Sequence, residues 1–312
     1  MWLIDTQTLE LKEFHAGHIP QYAILSHRWG DSEVSHQQYQ NRQFDPNGDG
    51  YQKIKGFCYQ VASSTDPLVH YAWVDTCCID NKSSAELSES INSMFKWYGD
   101  AIVCYVYLSD VDYQAPDRES QFQQSLWFTR GWTLQEFLAA RELLFFSKTW
   151  DMLGTRSEFV DILSSITKIP PDYILRRRPL SDASIAQRMS WASHRLTTRE
   201  EDIAYSLLGI FNVNMPLIYG EGRKAFLRLQ EEIIKRSNDD SILAWGYNHR
   251  DDDTPDRTGA LAKSPYYFAG CHNIIRCEDW EGRSKPRPWE MTSRGLHTHA
   301  IVISSFDTKI SR

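Results

Sequence analysis

The stretch "AIVCYVYLSDV", residues 101–111, decides the fold. All of its first eight residues are β-branched, aromatic or otherwise apolar, and it carries no alternation of apolar with polar. A strand of this kind must be covered on both faces, which is the habit of a parallel sheet between helix layers. It then ends abruptly in Ser109-Asp110. "YAILSHRW" (22–29) has the same form, apolar first and polar last, and so do "YAWVDTCCID" (71–80) and "ELLFFSK" (142–148).

Between these runs lie segments with helical period. "KIKGFCYQVASS" (53–64) places Ile54, Phe57, Tyr59 and Val61 on an imperfect stripe. "SSAELSESINSMFKWYGDA" (83–101) is clearer, with Leu87, Ile91, Met94 and Phe95 as its stripe and Ser83 and Glu86 spaced to cap it. Strand and helix alternating at this rhythm imply right-handed crossovers and an α/β fold, a mainly parallel sheet flanked by helices. From about 155 to 237 the pattern becomes helical throughout, punctuated by Pro170, Pro171, Pro216 and Gly220. "RDDDTPDR" (250–257) reads as a loop, and the rest, with "HTHAIVISSF" (297–306), as a short β-rich tail. The domains expected are therefore 1–240, divided into an α/β core (22–150) and a helical section (151–240), and a C-terminal extension (241–312).

Composition narrows the function. The 312 residues carry a formal charge of -7, which argues against nucleic acid as the main partner because phosphate binding needs a basic footprint. Arg176-Arg177-Arg178 is a short cluster after two prolines and reads as a solvated linker. No apolar run approaches the roughly 18–20 residues of a membrane span, and no signal peptide is evident, so the expected compartment is cytoplasmic. Cys58, Cys77, Cys78, Cys104, Cys271 and Cys277 form no CxxC pair, so neither a disulfide framework nor a zinc site is expected.

In an open parallel sheet, ligands bind outside the carboxyl ends of the strands. The first strand ends in Ser26-His27-Arg28-Trp29, the second in Asp75-Thr76, and the third in Ser109-Asp110. "RGWTLQEFLAAREL" (130–143) starts at that same end. Its helical spacing puts Leu134, Phe137 and Leu138 on one face and Trp132, Gln135, Glu136 and Ala139 on the other. A tryptophan one turn before a lone carboxylate suggests a planar or cationic ligand. The candidate rim is His27, Arg28, Trp29, Asp75 and Glu136. Plainer readings exist beside it: Asp75 and Asp110 as caps, His27 as a structural histidine, Arg28 paired with Asp31, and Glu136 on a solvated face or in an ion pair with Arg130 or Arg141. No phosphate loop, GxSxG elbow or complete calcium loop competes; "DPNGDG" (45–50) lacks the remaining ligands.

"YAILSHRWGD", "WVDTCCIDN", "INSMFKWYGDAIVCYVYLSDV", "RGWTLQEFLAARELLFF" and "REEDIAYSLLGIFNVNMPLIYGEGRKAFLRLQEEII" resemble, in order, the motifs of the fungal heterokaryon incompatibility (HET) domain. "LAKSPYYFAGCHNI" is similar to the segment that follows that domain, cut short here. The resemblance implies an effector of cell death triggered by an incompatible partner, with self-association. HET domains are also similar to TIR domains, which implies a TIR-like, flavodoxin-like sheet. "GWTLQEFL" resembles the TIR pattern of Trp, a small residue, two variable residues, Glu and Leu, with Thr133 and Phe137 departing from it.

Carried over, Glu136 matches the glutamate with which catalytic TIR domains cleave NAD. The implied activity is an NAD glycohydrolase that uses NAD as substrate and needs no other cofactor or metal. Trp132 or Trp29 would hold the nicotinamide, Arg28 would meet the pyrophosphate, and Ser26, His27 and Asp75 would complete the substrate site. The alternative is a non-enzymatic death-signalling module acting by homotypic or heterotypic assembly. Arg195 and Arg199 in "HRLTTREED" (194–202) either reach the pocket or, with Asp202, tie the helical section to the sheet.

Overall fold

A computed structural model describes residues 1–15, 17–64, 69–246 and 259–275, and the backbone of two short strands at 290–292 and 295–297. The acidic run 250–257, Cys277 and nearly all of the β-prone 297–306 stretch lie outside the described residues.

The first strands are β1 (Trp2–Asp5), β2 (Leu11–Glu13) and β3 (Tyr22–His27). Helices α1 (His36–Gln40) and α2 (Asp49–Ala62) lead to β4 (Tyr71–Trp73), followed by the single turn α3 (Asp75–Cys78). Helix α4 (Ser84–Asp100) precedes β5 (Val103–Tyr107). Then come α5 (Arg118–Gln123), a 3-10 turn at Leu126–Thr129, α6 (Gly131–Ala139), β6 (Leu143–Phe146) and β7 (Met152–Thr155).

The helical section contains α7 (Val160–Thr167), α8 (Pro171–Ile174), α9 (Ile185–Ala192), α10 (Asp202–Tyr205), α11 (Leu208–Phe211) and α12 (Lys224–Ile234). A small antiparallel pair, β8 (Glu290–Thr292) with β9 (Gly295–His297), represents the β-rich tail.

Seven strands form one sheet in the order β2-β1-β4-β3-β5-β6-β7. Its centre, β4-β3-β5-β6, is parallel throughout. In chain order these four run second, first, third, fourth, the arrangement of doubly wound flavodoxin-type sheets. Antiparallel strands close both margins, the β1–β2 hairpin on one side and β7 on the other.

The apolar central runs are covered on both faces, as their composition requires. All six residues of β3 are buried. On one face Phe57 of α2 packs edge-on to Tyr105 of β5. On the other, α4 is laced to β3 by two tyrosines: the Tyr22 hydroxyl donates to the Trp97 carbonyl (2.7 Å) and the Tyr98 hydroxyl to the Leu25 carbonyl (2.8 Å). Ser83 caps α4 through the Glu86 amide. Of the α4 stripe, Ile91 and Met94 are buried. Phe95 turns toward the helical section, where it presses on Gly209 so closely that an added Cβ would sit 2.0 Å from its own. Helix α4 thus serves both halves of the chain.

One expectation changes, and the plainer reading of Glu136 on a solvated face is set aside. The second strand is three residues long, because the chain turns into α3 at Asp75. Helix α6 has no solvated face: every residue in it except Trp132 is buried.

Candidate active site

The sheet reverses its winding between β3 and β5, and the crevice beyond their carboxyl ends is where such folds hold ligands. A cavity of about 370 Å³ lies there, within the size range of small-molecule sites. Its sheet side is His27, Trp29 and Asp75, and Trp132, Thr133 and Glu136 of α6 form a second wall. Ile79, Leu87, Ile91 and Met94 supply apolar surface. The remaining wall comes from the helical section, with Thr198, Arg199, Asp202 and Tyr219.

Glu136 is only 4% exposed. Its Oε2 accepts a short hydrogen bond (2.5 Å) from Ser26 Oγ at the end of β3, and Ser26 Oγ accepts one (2.9 Å) from the indole nitrogen of Trp127. Among the described residues no cation lies within ion-pair distance of it, so the ion-pair reading with Arg130 or Arg141 does not describe this side chain. Burial and the neighbouring Asp75 charge push its carboxyl up to about 8, while Ser26, Tyr98 and the buried Arg195 pull in the other direction. Arg195 donates to the Arg130 carbonyl (2.8 Å) and to Thr133 Oγ1 (2.9 Å), fixing the start of α6. A carboxylate without a paired cation, facing a cavity, suits a ligand that develops positive charge.

A second polar cluster lies at the tip of β3. His27 is buried, with Nε2 3.8 Å from Glu33 Oε2 and 3.7 Å from Asp75 Oδ1. Burial, aided by the Lys53 ammonium, holds the imidazole neutral, far below its usual 6.5. Lys53 pairs with the other Glu33 oxygen, and Trp29 Nε1 donates to Asp75 Oδ2 over 2.7 Å. That leaves both ring nitrogens of His27, Glu33 Oε2 and Asp75 Oδ1 buried without a hydrogen-bond partner. Unsatisfied buried polar atoms are costly, and four together beside a cavity fit a site that a polar ligand completes. Burial also raises the Asp75 carboxyl to about 6.

The helical section reaches this site by backbone pairing. The Leu196 amide donates to the Thr129 carbonyl (2.7 Å), and the Gly131 amide to the Leu196 carbonyl (2.9 Å). A Cβ at position 131 would lie 2.5 Å from Thr197 Cγ2, so only glycine admits the segment this close. Asp202 then receives the Trp132 indole N–H (3.4 Å) and the Tyr219 hydroxyl (3.0 Å), and the Arg199 guanidinium lies 4.5 Å from the centre of the Tyr219 ring.

Of the residues expected from sequence, His27, Trp29, Asp75, Trp132 and Glu136 line one cavity. Ser26 lies behind it, fully buried, and holds Glu136. Arg28 is exposed and outside the lining. Asp110 does what its plainer reading held: it accepts from Ser125 Oγ and the Leu126 amide and caps the 3-10 turn. Sequence reasoning gave no role to Trp127, Tyr98 or Tyr219, and offered Arg130 only as an ion-pair partner of Glu136. Only the aromatic density around "SLWFTRGW" (125–132) hinted at Trp127.

A buried, unpaired carboxylate at the switch point of a doubly wound sheet, roofed by a helical section of the same chain, defines the class. Residues 22–124 match the model of the heterokaryon incompatibility protein (HET) family, and residues 224–279 match a domain of unknown function (DUF8212). The chain contains a HET domain and belongs to that family. It is 48% identical over 242 residues to the vegetative incompatibility protein HET-E-1 of Podospora anserina; the aligned stretch is 75% of this chain and 17% of that protein. The chain therefore spans less than a fifth of that relative's length. No solved structure matches it. The HET match ends at residue 124, before α6 begins. Among the described residues no helix is long and apolar enough to cross a membrane.

Proposed function

We propose that this chain is a cell-death effector of fungal vegetative incompatibility that hydrolyses NAD to nicotinamide and ADP-ribose, with Glu136 as its catalytic carboxylate. One observation carries the reading: Glu136 is buried and, among the described residues, free of any ion pair at the carboxyl ends of the parallel strands, with its orientation set by Ser26 and Trp127. The strand order and the spacing of Trp132 and Glu136 support a TIR-like origin for the site.

The chemistry fits the residues. Breaking the bond between ribose C1′ and the nicotinamide nitrogen sends the bonding pair to the ring, so a cationic pyridinium leaves as a neutral base and needs no general acid. Positive charge then develops on the ribose, as in glycoside hydrolysis. A carboxylate beside the ribose stabilises that charge, and water attacks C1′ and loses its proton to Glu136 or to solvent. Trp132 and Trp29 offer ring faces for the nicotinamide. Its carboxamide, one donor group and one acceptor, complements the unpartnered Asp75 oxygen and neutral His27. The raised pKa of Glu136 links its ionisation to arrival of the cationic ring, because each charge favours the other.

Incubating the purified chain with NAD and resolving nicotinamide by chromatography tests the reading. Failure to release nicotinamide even when the protein is artificially clustered would replace it with the assembly-module alternative, in which self-association and an incompatibility partner transmit the signal.

A further inference from the structure

Building on that reading, we infer that Arg130 and Arg199, with Thr198 between them, form the diphosphate-binding subsite of the cavity, and that the helical section is therefore half of the substrate site.

Both guanidinium groups line the cavity, and they come from segments nearly seventy positions apart. Arg130 is the residue just before α6 and is half-buried; Arg199 lies in the exposed turn before α10. The chain carries a net charge of -7, and among the described residues ten of its lysines and arginines pair with carboxylates. Among the described residues neither Arg130 nor Arg199 has a carboxylate within 4 Å. Arg130 has only a long contact, 3.4 Å, to Thr198 Oγ1. Arg199 rests on the face of Tyr219, which orients it without neutralising it. The nearby acid, Asp202, already accepts from Trp132 and Tyr219. Two uncommitted guanidinium groups and a hydroxyl on one side of a cavity, with a lone carboxylate on another, match an anion joined to an incipient cation. A dinucleotide has that polarity, and planar guanidinium suits paired phosphates.

The arrangement is built. The Leu196–Gly131 backbone pairing sets Thr198 and Arg199 opposite Arg130, and Arg195 anchors the Arg130 carbonyl from beneath. Arg28, the arginine expected at the phosphates from sequence, is outside the lining.

Calorimetric titration with ADP-ribose and with nicotinamide riboside, which has no phosphate, tests the subsite on wild type, Arg130→Gln and Arg199→Gln. The expected result is a loss of ADP-ribose affinity of about tenfold or more in each variant, with nicotinamide riboside affinity unchanged. Salt should weaken ADP-ribose binding more in wild type than in the double variant. Equal ADP-ribose affinity in all proteins, or no binding by wild type, overturns the inference. Nicotinamide release with an unchanged KM in both variants would sink the subsite and leave the hydrolase reading standing. Arginine-dependent ADP-ribose binding without nicotinamide release would do the reverse.

Discussion

Ser26 donates its hydroxyl hydrogen to Glu136 across 2.5 Å while accepting one from Trp127, so the carboxyl end of a parallel strand positions the carboxylate of a residue 110 positions later. Ser26→Ala removes the hydrogen bond that most favours the ionised carboxyl and raises the Glu136 pKa further. Nicotinamide release at neutral pH should fall about tenfold, since hydrogen bonds to charged groups are worth roughly 1.5–3 kcal/mol. The check is the pH–rate profile, whose rising limb should move to higher pH; a uniform loss without that displacement would assign Ser26 a packing role only.

The pH dependence of activity follows from Glu136 itself. Its carboxyl sits at about 8 in the free protein, and the mechanism uses the ionised form. The value of kcat/KM for NAD should therefore rise with pH through about 8, and kcat should rise at lower pH because the bound cation favours ionisation. Asp75→Asn removes the nearby negative charge that raises this group, so the rising limb of kcat/KM should shift down, opposite to Ser26→Ala. Paired profiles of the two variants decide it.

Stability carries the opposite sign. The folded chain keeps a proton on Glu136 over the window from about 4.5 to about 8, where the unfolded chain has lost it. Stability is therefore present in full below the lower limit and declines as pH rises through the window. Glu136→Gln should flatten this decline, melting higher than wild type at pH 9 and close to it at pH 5. Thermal unfolding at the two pH values measures it; equal wild-type and variant differences at both would contradict the buried-carboxyl account.

The docking of the helical section is tested at Gly131. Gly131→Ala places a methyl 2.5 Å from Thr197 Cγ2 and forces residues 196–199 away from α6. A destabilisation of about 1–3 kcal/mol is expected, with a raised KM for NAD as Arg199 moves off the cavity. Denaturant unfolding and steady-state kinetics would expose a neutral substitution at once.

The centre of the sheet was legible in the sequence because β3, β5 and β6 are buried on both faces and so read as uninterrupted apolar runs. The margins were not. β1, β2 and β7 are three or four residues each and partly exposed, and such strands take their stability from pairing with neighbours rather than from their own composition. The strand-end rule located His27, Trp29, Asp75 and Glu136, since it depends only on chain direction.

What it could not reach was the other wall. Thr198, Tyr219 and Arg199, the last offered by the sequence either to the pocket or to a tie with the sheet, enter the site through the Leu196–Gly131 pairing and the Asp202 contacts, which leave no periodic trace. The surroundings of helix α6 were hidden for a related reason: Gln135 lies against Met94 of α4, Glu136 is held by Ser26 of β3, and Arg195 meets the start of the helix at Thr133.

The most direct test of the central claim is nicotinamide release from NAD by wild type beside Glu136→Gln, with circular dichroism confirming that both are folded. The expected result is release by wild type and a loss of about 100-fold or more in the variant, the scale of losing a main electrostatic stabiliser. Equal release by the two proteins would show that the buried carboxylate at the end of the sheet is not the catalytic group.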